Sequence, residues 1–148
     1  MEVIGMNFDL DESIGYVIEL TKEVLTRELR KLFHQEGFSI TPNHWLILYR
    51  LWQEDGITQG QLAERTFKDK PSITRLVDYM VKQDLVKRVE DSVDRRRNII
   101  YLTEKGKSLQ EVLPKIVETH IEKATYKLKK REVEIAKTVL RKIMQNYE

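Results

Sequence analysis

The 148-residue chain carries 26 basic and 24 acidic side chains, a net charge of +2, with 34% charged and 41% hydrophobic residues. That length supports one domain with a real core, and the composition excludes a disordered chain. With no cysteine, a structural disulfide, a thiolate metal site and thiol-based peroxide sensing are excluded. No apolar run approaches the ~20 residues of a membrane span, and the opening MEVIGMNFDLDES has no basic region ahead of an apolar core, so no secretory signal and a cytoplasmic location are expected. The modest net charge conceals an asymmetry. Residues 1–57 carry 5 basic and 10 acidic groups, residues 58–97 carry 10 and 7, and residues 98–148 carry 11 and 7. A basic middle and C-terminal half suits a polyanion met by one face, although ordinary charged helix faces explain much of the same count.

The first predicted helix starts near Asp9, where Asp9 and Glu12 form a capping pair. Leu10, Ile14, Val17, Ile18, Leu25, Leu29 and Leu32 follow at helical spacing until Gly37, a helix of roughly 26–28 residues or ~40 Å. That exceeds what a small core needs and points to packing against another subunit. Thr41-Pro42 opens a second helix that buries Trp45, Leu48, Leu51 and Trp52. Gly56 ends it, and Thr58 caps a short third helix, TQGQLAERT, with Leu62 and Ala63 inward. Pro71 opens the fourth, whose apolar stripe is Ile73, Leu76, Val77, Met80 and Val81. Its other side carries Ser72, Thr74, Arg75, Asp78, Tyr79 and Lys82. Two short helices joined by a tight turn, the second with a polar outer face, read as a helix-turn-helix.

A hairpin follows, with Leu85–Glu90 and Arg97–Leu102 as strands and Val86, Val89, Ile100 and Leu102 as its expected buried face. The tip from Asp91 to Asp94 leads into Arg95, Arg96 and Arg97. Thr103-Glu104 opens a helical region through Leu109, Val112, Leu113, Ile116, Val117 and Ile121, with Pro114 expected to bend it. A last helix runs through Val133, Ile135, Ala136, Val139, Leu140, Ile143 and Met144. These terminal stripes lie away from the helix-turn-helix, and a dimer interface is the physical reason for them. The expected fold is mainly α with a small antiparallel β wing, in one domain over 1–148. Within it, 41–103 form a winged helix-turn-helix lobe, and 1–36 with 104–148 form dimerisation helices.

The chain resembles the multiple-antibiotic-resistance regulator (MarR) family of bacterial and archaeal transcription factors. The resemblance rests on Asp94-x-Arg96 followed by Leu102-Thr103 and Glu104-Lys105-Gly106, on Thr41-Pro42-x-x-Trp45, on Gln61-Leu62-Ala63 and on Ser72-x-Thr74-Arg75-Leu76-Val77. It covers nearly the whole chain in element order. One departure is Asp84, where the family usually has glycine after the fourth helix. Aspartate tolerates a left-handed conformation better than most residues, so the same turn is expected.

The resemblance implies a homodimer reading a pseudo-palindromic double-stranded operator with half-sites ~10 base pairs apart. It places the fourth helix in the major groove. There Arg75 can pair with guanine O6 and N7, Ser72 and Thr74 can contact bases or phosphates, and Lys70 strengthens the helix N-terminus toward phosphate. Thr58, Gln59 and Tyr79 complete that candidate set. The structural alternative is a solvated face with Arg75 paired to Asp78. In the wing, Arg96 is by resemblance the minor-groove residue, Asp94 holds its guanidinium, and Arg95 and Arg97 meet phosphate. The alternative is a charge run that solubilises a hairpin.

Many members of the family bind small aromatic or anionic molecules between the dimer helices and the DNA-reading lobe. By that resemblance Tyr16, His34, His44 and Trp45 line an effector site, against the reading that Trp45 is core and the histidines ordinary. His34, His44 and His120 have no metal-ligand spacing, so neither metal nor cofactor is expected. No glycine-rich phosphate loop or Ser-His-Asp spacing supports an enzyme. The functional expectation is a sequence-specific homodimeric repressor released by a small ligand. Its rival is a winged-helix protein–protein interaction module without ligand control.

Overall fold

The computed structural model describes residues 7–148, so the first six residues of the N-terminal segment lie outside the described residues. Its elements are α1 (Ile14–Gln35), α2 (Pro42–Gln53), β1 (Ile57–Thr58), α3 (Gln59–Arg65), α4 (Lys70–Lys82), β2 (Val86–Glu90), β3 (Asn98–Leu102), α5 (Glu104–Ser108), α6 (Leu113–Ala124) and α7 (Lys130–Gln145). The fold is mainly helical with one small antiparallel sheet, as the sequence led us to expect.

Helix α1 starts later than expected. Asp9 does not cap it; its carboxylate accepts the Asp11 N–H at 3.0 Å in a local turn. Short acidic side chains compete for the backbone in this way, and Ser13, in extended conformation, becomes the residue before the helix. The remaining 22 residues still span about 33 Å. Helices α2, α3 and α4 each begin where the side chain of Thr41, Thr58 or Asp69 accepts a free backbone N–H, from His44, Gln61 and Ser72 respectively.

The core is one cluster around Phe33, Ile47, Leu48, Leu51, Leu62, Ile73, Val77, Met80, Ile100 and Leu113. The stripe of α4 enters it through Ile73, Val77 and Met80, with Leu76 packed at its margin and Val81 exposed. Asp84 stops α4 in the expected left-handed conformation, with φ 57°. The Leu85 N–H then returns to the Met80 carbonyl at 2.9 Å, closing the helix end as a glycine would.

The sheet has the order β1-β3-β2. Strand β1 was not anticipated, because two residues carry no periodicity. It pairs Ile57 with Ile100 and Thr58 with Ile99. Strands β2 and β3 pair Val86 with Leu102, Arg88 with Ile100 and Val89 with Ile99. This register puts Val86, Arg88, Ile100 and Leu102 on one face and Val89 on the other. Val89 is therefore 43% exposed, which corrects its assignment to the buried face. Arg97 lies outside β3, since its N–H closes the tip on the Asp94 carbonyl at 3.0 Å.

The expected long helix after the wing is also corrected. Chain 104–124 divides into α5, a 3-10 turn at Leu109–Glu111, and α6. Pro114 sits in the first turn of α6, where its missing N–H is harmless, so it starts a helix and bends none. At the wing-to-α5 junction a Cβ on Gly106 would lie 2.2 Å from the Leu85 carbonyl oxygen. The Gly106 carbonyl accepts the Trp52 indole N–H at 2.9 Å. Glycine is required here by close approach.

Candidate nucleic-acid interface

The N-terminal turn of α4 is built around Asp69. Its Oδ1 accepts the Ser72 N–H at 2.8 Å and its Oδ2 accepts the Ser72 hydroxyl at 2.9 Å. The Ser72 hydrogen bonds, backbone first, hold the Asp69 carboxyl below its usual range. Arg75 Nη2 rests 3.4 Å from Ser72 Oγ. Asp78 is taken elsewhere, by Arg88 Nη2 at 2.8 Å, which removes the intrahelical Arg75–Asp78 pair as an explanation of Arg75. Thr74 gives its hydroxyl proton to the Lys70 carbonyl at 3.0 Å and accepts Gln59 Nε2 at 2.9 Å. It is left with a methyl group and an accepting lone pair for any further contact.

At the hairpin tip Asp94 Oδ1 accepts Arg96 Nε at 3.2 Å and the Arg96 N–H at 3.0 Å, while Oδ2 lies 3.4 Å from Arg96 Nη2. The Arg96 side-chain bond, then its backbone bond, lower the Asp94 carboxyl from its ordinary value. The guanidinium so oriented is 91% exposed. Arg97 leans toward Asp91 at 4.0 Å, and Arg95 is exposed. A cleft of about 290 Å³ brings the two elements together. It is lined by Thr58, Gln59 and Gly60 from the start of α3, by Lys70, Ile73 and Thr74 from α4, and by Arg96, Arg97 and Asn98 from the wing. None of these described residues is acidic.

Tyr79 is placed elsewhere. Its hydroxyl donates to the Ser39 carbonyl, and its ring stacks on His44 with centroids 4.6 Å apart. Both belong to a second cavity, of about 560 Å³, between the end of α1, the start of α2 and α4. Arg30, His34, Lys68, Ser72 and Arg75 also line it, and none of its described lining residues is acidic. Of the four residues expected at an effector site, His34 and His44 are here and Tyr16 and Trp45 are not. Tyr16 lies roughly 27 Å along α1 from His34. Trp45 packs against the core beside Trp52. His44 also has a structural task. Its Nδ1 accepts the Thr41 N–H at 3.0 Å and its own N–H binds Thr41 Oγ1, the reciprocal cap usually made with glutamate. Burial pushes its imidazole down to about 4. Arg88, Arg30 and Lys68 were missed in the sequence. Arg88 carried no signal in the sequence alone: only the register opposite Ile100 puts it on the buried face, where a cation needs a partner.

Among the described residues no group of three or more His, Asp or Glu is placed to hold a metal, and no helix is long and apolar enough to cross a membrane.

Known proteins share this fold. A MarR-family transcriptional regulator from Methanosarcina mazei Go1 superimposes with a TM-score of 0.77 at 28% identity, over 90% of this chain and 94% of its own. A family model described as MarR family matches residues 38–97. The Bacillus subtilis HTH-type transcriptional regulator YsmB is 31% identical over 108 residues, 72% of this chain and 70% of YsmB. The chain belongs to the MarR family. In this MarR-family chain the family match ends at Arg97, so it includes α4 and both residues of the Asp94–Arg96 pair. TtmR of Methylorubrum extorquens, another HTH-type transcriptional regulator, is 29% identical over 102 residues, 68% of this chain, and that stretch spans only about half (51%) of TtmR.

Proposed function

We infer that this protein is a sequence-specific, homodimeric regulator of transcription that binds double-stranded DNA in the cytoplasm and represses until a small effector releases it. The observation that carries the DNA reading is the acid-free cleft where Lys70 of α4 and Arg96 and Arg97 of the wing converge. A phosphate backbone is the polyanion that such a set of cations suits, with α4 in the major groove and Arg96 in the adjoining minor groove. Arg75 and Ser72 extend the contact along α4, and Asp94 holds Arg96 in a pose that it need not search for on binding. Thr58, Gln59 and Thr74 line the same cleft and Arg95 is exposed beside it, while the Tyr79 side chain is held by the Ser39 carbonyl and the His44 ring.

Dimerisation follows from what one chain leaves uncovered. Ile14, Val17, Leu20, Val24 and Leu25 on α1 and Ile135, Val139, Leu140 and Met144 on α7 are exposed. Their helical spacing makes two stripes that a second copy buries. Residues 41–103 then act as the DNA-reading lobe, and the flanking helices as the dimer platform. The cavity lined by Arg30, His34, His44, Lys68 and Tyr79 suits an anion with an aromatic ring.

Arg96→Ala tests the reading. With two wings per dimer, operator affinity falls by about 100-fold at moderate salt, and the melting temperature stays within about 1 °C because an exposed pair contributes little. Unchanged affinity of the folded variant removes the wing from the mechanism.

A further inference from the structure

We propose that Arg88 is a positioning residue for DNA recognition: it fixes the wing against the recognition helix, so that Arg96 and α4 reach their two grooves together. The proposal rests on the DNA-binding reading. The β2–β3 register sets Arg88 opposite Ile100 on the face that packs inward, yet its side chain is a cation, 27% exposed. From there it bridges three elements. Its Nη2 lies 2.8 Å from Asp78 Oδ1 on α4, and its Nε donates to Gln59 Oε1 at 3.1 Å at the start of α3. Gln59 Nε2 passes the connection to Thr74 Oγ1 at 2.9 Å, and Thr74 donates to the Lys70 carbonyl at 3.0 Å.

Strand β2, the first residue of α3 and the groove-facing side of α4 are thus joined by one continuous set of side-chain contacts. A hairpin held only by its sheet could pivot about β3 and carry Arg96 toward or away from α4. The ties from Arg88 to Asp78 and Gln59 oppose that pivot. The residue type matters because a guanidinium can donate through Nε to Gln59 while its Nη2 keeps its charge against the Asp78 carboxylate as an ion pair, whereas a lysine ammonium has one point of contact. Arg88 bonding to Gln59 Oε1 also turns the amide NH2 toward Thr74, so the wing sets how Thr74 sits on α4. No contact between Arg88 and DNA is needed for any of this.

Wild type, Arg88→Met, Arg88→Lys and Asp78→Asn are compared on a site that wild type selects from random DNA. Binding is read by titration, major-groove occupancy by protection of guanine N7 from methylation, and minor-groove occupancy by hydroxyl-radical footprinting. Loss of the ion pair to Asp78 and the hydrogen bond to Gln59 predicts about a 30-fold weaker complex for Arg88→Met. At saturating protein, guanine protection under α4 persists while the footprint under the wing is lost. Arg88→Lys, which keeps the Asp78 attraction and gives up the Gln59 bond, recovers part of the affinity and part of the footprint. Asp78→Asn shows the same split in smaller measure and supplies the test should Arg88→Met fail to fold. The proposal is overturned if the folded variants protect both grooves as wild type does, or if both protections fade in parallel and only with a falling melting temperature. Wild type selecting no DNA overturns the DNA reading itself.

Discussion

His44 is both a helix cap and a wall of the second cavity, and its buried ring makes a prediction with a definite sign. In the fold its imidazole titrates at about 4, against an ordinary value of 6.5. The neutral form is the one that accepts the Thr41 N–H through Nδ1, so the native state resists protonation. The resulting stabilisation is fully present above about pH 6.5 and is lost as the pH falls toward 4. At face value the shift is worth about 3 kcal/mol. The ring edge that faces the cavity is screened by water, so about 2 kcal/mol is the working figure. For a chain of this size that is a loss of about 6 °C in melting temperature. His44→Gln keeps an acceptor at the third helical position, as in the usual capping pair, but does not titrate. The assay is thermal unfolding of both proteins from pH 8 to pH 4.5 at one protein concentration, since a dimer's melting point depends on concentration. Acid weakens both proteins through their carboxylates, so the measured quantity is the difference between the two curves. About three quarters of the His44 stabilisation is lost by pH 4.5, so wild type should lose about 4 °C more than His44→Gln over that interval. A difference that stays constant, or that favours wild type at low pH, refutes the claim that His44 is held neutral by burial.

Three further outcomes are expected. Gly106→Ala should destabilise the fold by about 2 kcal/mol or more in urea unfolding. The added Cβ meets the Leu85 carbonyl oxygen at 2.2 Å, and that oxygen already accepts the Thr103 N–H; an unchanged midpoint would show that α5 can shift freely. Val139→Lys, on the exposed stripe of α7, should convert the dimer to monomer in sedimentation and lower operator affinity at least about tenfold, and a dimer that persists would place the interface elsewhere. A phenolic acid such as 4-hydroxybenzoate should raise the melting temperature of wild type more than that of Arg30→Ala, because Arg30 lines the cavity. Equal shifts would exclude that cavity as its site.

Much of this molecule was readable before its structure. The stripe Ile73, Val77 and Met80 has one period and one face, so α4 and its outward polar side followed directly. Asp94 and Arg96 are two residues apart on a tight tip, and that spacing alone lets their side chains meet. What escaped has a common physical cause, dependence on distant contacts. Strand β1 exists because Ile57 pairs with Ile100, forty-three positions away. Val89 read as core because alternation does not say which face is inner, and the register with Ile99 decided it. Tyr79 looked like part of the polar face of α4. The Ser39 carbonyl and the His44 ring draw it to the cavity instead, and neither is visible from α4. The N-terminus of α1 was misplaced because a local Asp9 turn and a capping pair look alike in sequence.

Helix α7 has 16 residues and, among those described, none that is buried. Ala136, Val139 and Leu140 of its stripe face Ile14, Val17 and Leu25 of α1 across an open apolar groove, and Ile135, Val139, Leu140 and Met144 stay exposed. An amphipathic helix with so little cover gains stability from any further burial of its stripe, so in the proposed dimer ordering α7 and pairing two copies would be coupled. The amount of protein in the cell would thereby become a regulatory input. On that proposal, where two copies meet before either holds an operator, dilution at cell division or a modest drop in synthesis would lower occupancy with the square of the free monomer concentration.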